Sequence, residues 1–279
     1  MRKNKVRLIT LYIASFLFLF YLHLPTYQML LSAFQPWNDF IKQVPPSLYP
    51  RTITLENFIG MLKVVPKLPL YLFNSFIYGT GVALISVIVA IPAAYSIARY
   101  RFKGKNLVLL GILFTNMFSP ILLIVPIYRL MRTLNLINTY YSVIIAGSIF
   151  TTPFCTWLLT SYFSKIPREI EEAAMIDGCS IGKTLIHITL PLSVPAIITA
   201  LIYAFITGWS QQFILALVLI HRDELMPVTQ GLYMFFARSS VRWAELMAAI
   251  LTSMMIPLAL FAAVQKSLVK GLTTGAIKA

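Results

Sequence analysis

Residues 165–195 read KIPREIEEAAMIDGCSIGKTLIHITLPLSVP, a polar segment that lies between long apolar runs. It holds four of the chain's nine acidic residues: Glu169, Glu171, Glu172 and Asp177. No other acidic residue lies between Glu56 and Asp223. A chain this hydrophobic has little reason to keep such an acidic segment unless another molecule binds there. The segment therefore indicates a docking site.

The local pattern of this segment predicts two short helices. Pro167 suits the first position of the first helix, because its missing N–H would be unpaired there in any case. Gly178 can adopt the left-handed conformation that ends a helix, and Ser180 can cap the second helix. Pro191 predicts a helix boundary at Leu190. Both helices are too short to cross a bilayer, which takes about 20 residues.

The composition is that of an all-α integral membrane protein. Hydrophobic residues make up 58% of the 279 residues and charged residues only 11%. The net charge of +14 could suggest nucleic-acid binding, but the basic residues fall in short segments between apolar runs. The acidic first helix and the flanking apolar runs also argue against a helix-turn-helix in 167–190. The sequence therefore predicts no nucleic-acid partner, and the lipid bilayer as its surroundings.

Apolar stretches predict six transmembrane helices, at 8–34, 71–98, 107–126, 141–163, 192–220 and 243–265. The basic start before the first run is typical of a signal peptide. That run is too long for a signal core and lacks a small-x-small cleavage site, so we expect the first span to be retained. Cys155 is then predicted inside a span and Cys179 in a cytoplasmic loop, so a disulfide is not expected.

Basic residues predict the orientation of the chain. The segments 1–7, 99–106, 164–191 and the tail hold 14 of the 23 basic residues. Loops with more Lys and Arg face the cytoplasm, so both termini are expected there. The predicted parts are an N-terminal span and extracytoplasmic segment (1–70), a transmembrane domain (71–265) and a cytoplasmic tail (266–279).

The spans lack the residues that an enzyme would need. The three histidines, His23, His187 and His221, lie in different segments without metal-ligand spacing, and no glycine-rich phosphate loop is present. We therefore expect no catalytic residue, no metal and no cofactor in this chain, and an integral membrane enzyme is a remote alternative. A secondary transporter would place a carboxylate near the bilayer midplane, which is also missing.

Neutral polar residues inside the spans predict a pathway for a polar, uncharged solute. Amides and hydroxyls bind hydroxyl-rich solutes, and an aromatic ring can stack against the apolar face of a sugar. Such groups also serve simply to bridge helices, at about 1 kcal/mol each. The candidate lining residues are Asn116, Trp209, Ser210, Gln211 and Gln212.

The acidic segment carries a recognisable spacing. Glu172, Ala173 and Ala174 are followed by Gly178 after three residues, and then by Ile188, Leu190 and Pro191. This resembles the complete EAA signature of permeases from binding-protein-dependent ABC importers. The runs TLENF (54–58) and AYSIARYRFKGK (94–105) and the tail GLTTGAIKA (271–279) resemble the carbohydrate, maltose-transporter type of these permeases.

The resemblance implies a type I ABC importer permease fold with a cytoplasmic coupling helix. It also implies a heterodimer with a second homologous permease, two ATPase subunits that bind the ATP, an extracytoplasmic solute-binding protein and a sugar substrate. The tail would reach the ATPase dimer interface. The residues implied in coupling to the ATPase are Glu171, Glu172, Ala173, Ala174, Asp177, Gly178, Ile188, Leu190 and Pro191.

Two observations limit the resemblance. The family often has Trp-Asn-Glu where this chain has Trp209-Ser210-Gln211-Gln212, so the role of that acidic residue does not carry over. A permease of the same superfamily for amino acids, peptides or oxyanions is the alternative. An oxyanion site would favour intramembrane Arg or Lys, which the predicted spans lack.

Overall fold

The computed structural model describes residues 2–37, 49, 52–237 and 241–273, and the regular structure in this range is entirely helical. The helices are α1 (Arg2–Phe34), α2 (Glu56–Val64), α3 (Leu68–Arg99), α4 (Lys105–Phe114), α5 (Ile124–Thr133), α6 (Tyr140–Phe163), α7 (Arg168–Ile176), α8 (Ile181–Leu192), α9 (Val194–Ser210), α10 (Phe213–Leu219), α11 (Val228–Tyr233) and α12 (Trp243–Thr273). The chain divides into two compact units.

The first unit contains the described residues of Met1–Lys67 and Leu232–Met255. Asn57 on α2 donates from Nδ2 to the carbonyl oxygens of Ala33 (2.9 Å) and Gln35 (2.7 Å), which holds α2 against the end of α1. The sequence-based division differs from this one: it placed residues 232–255 in the predicted transmembrane domain, 71–265.

The second unit contains the described residues of Leu68–Gly231 and Ile256–Ala279, and its centre is formed by α3, α6 and α9. Small residues let these helices approach closely. A Cβ on Gly208 of α9 would lie only 3.1 Å from the Cα of Gly79 on α3, so a larger residue does not fit there. Helices in a membrane usually associate through such contacts between small residues, because the hydrophobic effect does little to drive helices together in lipid.

Four of the six predicted spans are confirmed as long apolar helices: Arg7–Phe34, Leu68–Arg99, Tyr140–Phe163 and Trp243–Gln265. The third predicted span, 107–126, is not a single helix. It consists of the apolar helix Lys105–Met117, an irregular turn and the start of α5. The physical reason is Pro120, which disfavours helical backbone in the residue before it.

The fifth predicted span, 192–220, is broken twice. Helices α8 and α9 meet at Ser193 with an angle of 81°, and a second break separates α9 from α10 at Gln211 and Gln212. The predicted boundary at Leu190 was wrong, since α8 continues through Pro191. Residues Leu185–Thr189 form a wider π turn in which the Leu190 N–H donates to the Leu185 carbonyl. The helix stops instead at Ser193, where Pro195 in the first turn of α9 has no N–H to continue the pattern.

Candidate functional site

The segment 165–192, which we call the acidic hairpin, folds into α7 and α8 as the sequence predicts. Gly178 has φ +87, and the N–H of Cys179 donates to the Ala174 carbonyl at 3.0 Å, which closes the end of α7. Ser180 caps α8 by accepting a bond from the Lys183 N–H at 3.5 Å. Pro167 lies one residue before the helix instead of at its first position, because its ψ of 136° is extended.

One side of the hairpin is exposed and combines acidic with apolar side chains. This exposed face is formed by Glu172, Ala173, Ile176, Asp177 and Ile181. Ile176 is 86% exposed and Ile181 is 50% exposed. Exposed apolar residues rimmed by charge are typical of a protein interaction surface. The exposed face therefore suits a docking role.

The other side of the hairpin holds a buried carboxylate. Glu171 is only 4% exposed, and its Oε1 accepts from Arg99 Nη2 at 2.7 Å and from the Thr189 hydroxyl at 2.7 Å. Its Oε2 accepts from the Tyr95 hydroxyl at 3.2 Å. The donors come from α3 and α8, so a single carboxylate connects both helices to α7.

The guanidinium of Arg99 makes a second link. Its Nη1 donates to the carbonyl of Ile166 at 3.1 Å, in the turn that leads into α7. Its side chain is 9% exposed, compared with 5% for Glu171. We call this group, formed by Tyr95, Arg99, Ile166, Glu171 and Thr189, the buried joint. The carbonyl of Arg99 also accepts from Arg168 Nη2 at 3.1 Å, which adds a contact between α3 and α7.

The residues predicted for coupling divide between the two sides. Glu172, Ala173, Asp177 and Gly178 are exposed, as is Pro191. Glu171, which the resemblance includes among the coupling residues, is buried, with its carboxylate facing the interior of the chain. Ala174 is also buried. The two remaining predicted coupling residues, Ile188 and Leu190, are half-buried.

Sequence reasoning missed Arg99 as a site residue. It was counted only as one of the basic residues that fix orientation. A signal was present, since Arg99 lies in the run 94–105 that resembles carbohydrate permeases. Its pairing with Glu171 could not be read from the sequence, because 72 positions separate the two residues.

Some of the residues predicted to line a solute pathway are buried, and others are exposed. Trp209 is buried and stacks on Phe205 with ring centroids 5.9 Å apart, while Gln212 is buried against Gly147 of α6. Three residues are exposed: Asn116, Ser210 and Gln211. Within the described ranges no hydrogen bond reaches Gln212 Oε1, and no group of three His, Cys, Asp or Glu side chains could bind a metal ion.

A second polar cluster lies near the N-terminal end of α3. Its side chains form hydrogen bonds with residues 220–228, which we call the 220–228 loop. Asn74 donates from Nδ2 to the carbonyls of Glu224 (2.8 Å) and Met226 (2.9 Å), and its Oδ1 accepts from the Tyr140 hydroxyl at 2.7 Å. Asn138 accepts through Oδ1 from the N–H of His221 at 2.6 Å. These anchors are neutral side chains that bind backbone groups.

Comparisons with known proteins identify the family. The family model for the binding-protein-dependent transport system inner membrane component matches residues 86–273, more than half of the chain. A trehalose/maltose transport system permease protein of Thermococcus litoralis is 38% identical over 229 residues, which cover 81% of each chain. A sulfoquinovosyl glycerol transport system permease protein of Agrobacterium fabrum is 33% identical, covering 84% of this chain and 81% of the relative.

An inner membrane ABC transporter permease protein of Escherichia coli is 30% identical and covers 99% of this chain and 98% of its own. The fold is similar to that in the crystal structure of a bacterial ABC transporter involved in the import of the acidic polysaccharide alginate. The TM-score is 0.77 at 21% identity, with coverage of 95% and 98%. Membership implies an ATPase and a solute-binding protein as partners. The chain belongs to the family of inner membrane components of binding-protein-dependent transport systems.

Proposed function

We propose that this chain is a permease subunit of an ATP-driven importer for a sugar or an oligosaccharide. The observation that carries the proposal is the exposed face of the acidic hairpin, in a chain whose family depends on a separate binding protein. The sugar class is supported by relatives named for trehalose/maltose, sulfoquinovosyl glycerol and diacetylchitobiose transport. These names differ in the sugar, so they support a class of solute and not one compound.

The proposed complex contains this chain, a second homologous permease, two ATP-binding cassette subunits and an extracytoplasmic solute-binding protein. ATP binds to the ATPase subunits, and this chain carries no cofactor. Both termini lie in the cytoplasm. The tail reaches the ATPase dimer interface, although residues 274–279 lie outside the described part of the chain.

The exposed face provides the contact with the ATPase. Glu172 is exposed on α7 and would pair with a basic group of the ATPase. Ala173 beside it has a short side chain, which allows close approach of the partner. Ile176 and Ile181 supply apolar area that water would otherwise cover. When the ATPase dimer closes on ATP, it displaces the acidic hairpin, and the spans rearrange.

The solute pathway is proposed near the second break of the fifth span. Transporters often bind solutes where a transmembrane helix is interrupted, because backbone groups and polar side chains become accessible there. Gln211 and Gln212 lie at this break, with Ser210 and Trp209 just before it. Asn116 lies on a separate 3-10 turn that packs beside α6.

The proposal is tested by identifying the solute and then showing dependence on ATP. Titration calorimetry of the cognate binding protein against oligosaccharides, amino acids and peptides gives the solute class. Uptake is then measured in proteoliposomes that contain both permeases and the ATPase. We expect a sugar to bind and to accumulate only with ATP. Binding of an amino acid or a peptide in place of any sugar would support the alternative permease class and refute this one.

A further inference from the structure

We propose that the buried joint transmits the movement of the ATPase from α7 to α3, and that Glu171 is its positioning residue. Glu171 acts through Arg99, Tyr95 and Thr189 and does not touch the ATPase. This inference rests on the proposed function, because it concerns how a docked ATPase moves the spans. It assigns to Arg99 and Glu171 a role that differs from docking.

Burial separates Glu171 from the exposed face. Its neighbour Glu172 is exposed, whereas the carboxylate of Glu171 is enclosed by groups of the same chain. An ATPase that binds the exposed face would therefore meet Glu172 and not Glu171. The two acidic residues are adjacent in α7 but differ in burial: Glu171 is buried against its own chain, and Glu172 is exposed.

The covalent chain gives α7 no direct connection to α3. Arg99 and Glu171 are 72 residues apart, and the helices α4, α5 and α6 lie between them in sequence. On its other side, α7 continues into α8 through Gly178, where a Cβ would meet no atom within 4 Å. The space beside Gly178 is open. The buried joint, together with the bond from Arg168 to the Arg99 carbonyl, therefore forms the described polar contact between α7 and the end of α3.

The chemistry of the joint suits a connection that must keep its geometry under displacement. A charge-assisted hydrogen bond is about twice as strong as a neutral one, and it is strengthened further in a site with little water. Glu171 accepts three bonds that enter from two helices, and Arg99 adds a bond to the Ile166 carbonyl. Thr189 ends the π turn of α8, so that helix is included as well.

The experiment compares transport with ATP hydrolysis in the complete complex. The main variant is the double substitution Arg99→Gln and Glu171→Gln, which removes both charges and leaves no buried charge unpaired. We expect the complex to assemble and to hydrolyse ATP, while solute transported per ATP falls about tenfold, within the usual range of coupling between sites. The matched control is Arg101→Gln, since Arg101 is exposed two residues beyond Arg99.

Two milder variants keep the test decisive if the double variant folds poorly. Tyr95→Phe and Thr189→Val each remove one bond to Glu171, so each should lower transport per ATP by a smaller factor. A purely structural role would reduce assembly, hydrolysis and transport together and leave their ratio unchanged. That result, or a normal ratio in all three variants, would overturn the inference. Failure of the unaltered permease to associate with the ATPase would overturn the proposed function as well.

Discussion

The two ends of α3 are held by different chemistry. At its C-terminal end, Arg99 forms a buried ion pair with Glu171. Near its N-terminal end, Asn74 and Ser75 hold the 220–228 loop through neutral bonds, and Ser75 Oγ accepts from the Val228 N–H at 2.8 Å. The two clusters are about 38 Å apart along the helix. One end connects helices through an ion pair, and the other fixes a loop mainly through its backbone, with one bond from the Tyr71 hydroxyl to the Asp223 carboxylate.

This difference predicts how each end responds to substitution. Loss of one partner of a buried ion pair leaves the other charge unpaired in a site with little water, which is costly. Loss of a neutral amide leaves uncharged partners, whose unpaired burial costs less than that of a charge. The C-terminal end of α3 should therefore be the more sensitive to substitution.

The largest effect is expected at the exposed face. Glu172→Lys reverses a charge that we propose to face a basic group on the ATPase, so uptake should fall to background and the ATPase should no longer co-purify. The amount of permease in the membrane should not change, because Glu172 is exposed. Co-purification at the unaltered yield together with normal transport would refute the docking role.

The next effect concerns the ion pair itself. Arg99→Gln alone should lower the free energy of unfolding by about 3–5 kcal/mol, because Glu171 stays buried without its cation. Adding Glu171→Gln should recover most of that loss. Thermal unfolding of the purified complex in detergent measures both. If the single and double variants were equally stable, the ion pair would contribute nothing specific.

At the opposite end of α3, Asn74→Ala should cost about 1–3 kcal/mol, since three neutral hydrogen bonds are lost and buried partners remain. The same unfolding measurement applies. Asn106→Ala is the control, because Asn106 is exposed. A loss as large as that of Arg99→Gln would show that the two ends do not differ as described.

The smallest effect is expected for Glu224→Gln. Its carboxylate lies 3.9 Å from Arg222, and both side chains are more than half exposed. Exposed pairs contribute about 0–1 kcal/mol, and salt weakens them. Stability and uptake should stay close to those of the unaltered protein. A large loss would indicate that this exposed pair contacts another subunit, such as the binding protein.

Much of the architecture could be predicted from the sequence, because length and hydropathy dictate which stretches can cross a bilayer. The two helices of the acidic hairpin could also be predicted, since Gly178 and Ser180 mark helix ends by local chemistry alone. The two irregular spans were harder, because Pro120 and Pro195 signal breaks but an apolar run does not show where the helix restarts or at what angle. The buried joint could not be predicted from the sequence, because the contact between Arg99 and Glu171 depends on how α3, α6 and α7 pack and not on any local pattern.

The 81° angle at Ser193 has a consequence for the direction of movement. Because α8 and α9 are nearly perpendicular, a shift of α8 along its own axis acts on the end of α9 from the side. Helix α9 would then tilt instead of sliding lengthwise through the bilayer. Tilting moves its apolar surface less along the membrane normal than sliding does, so a small displacement of α8 widens a passage without carrying polar groups into the hydrocarbon.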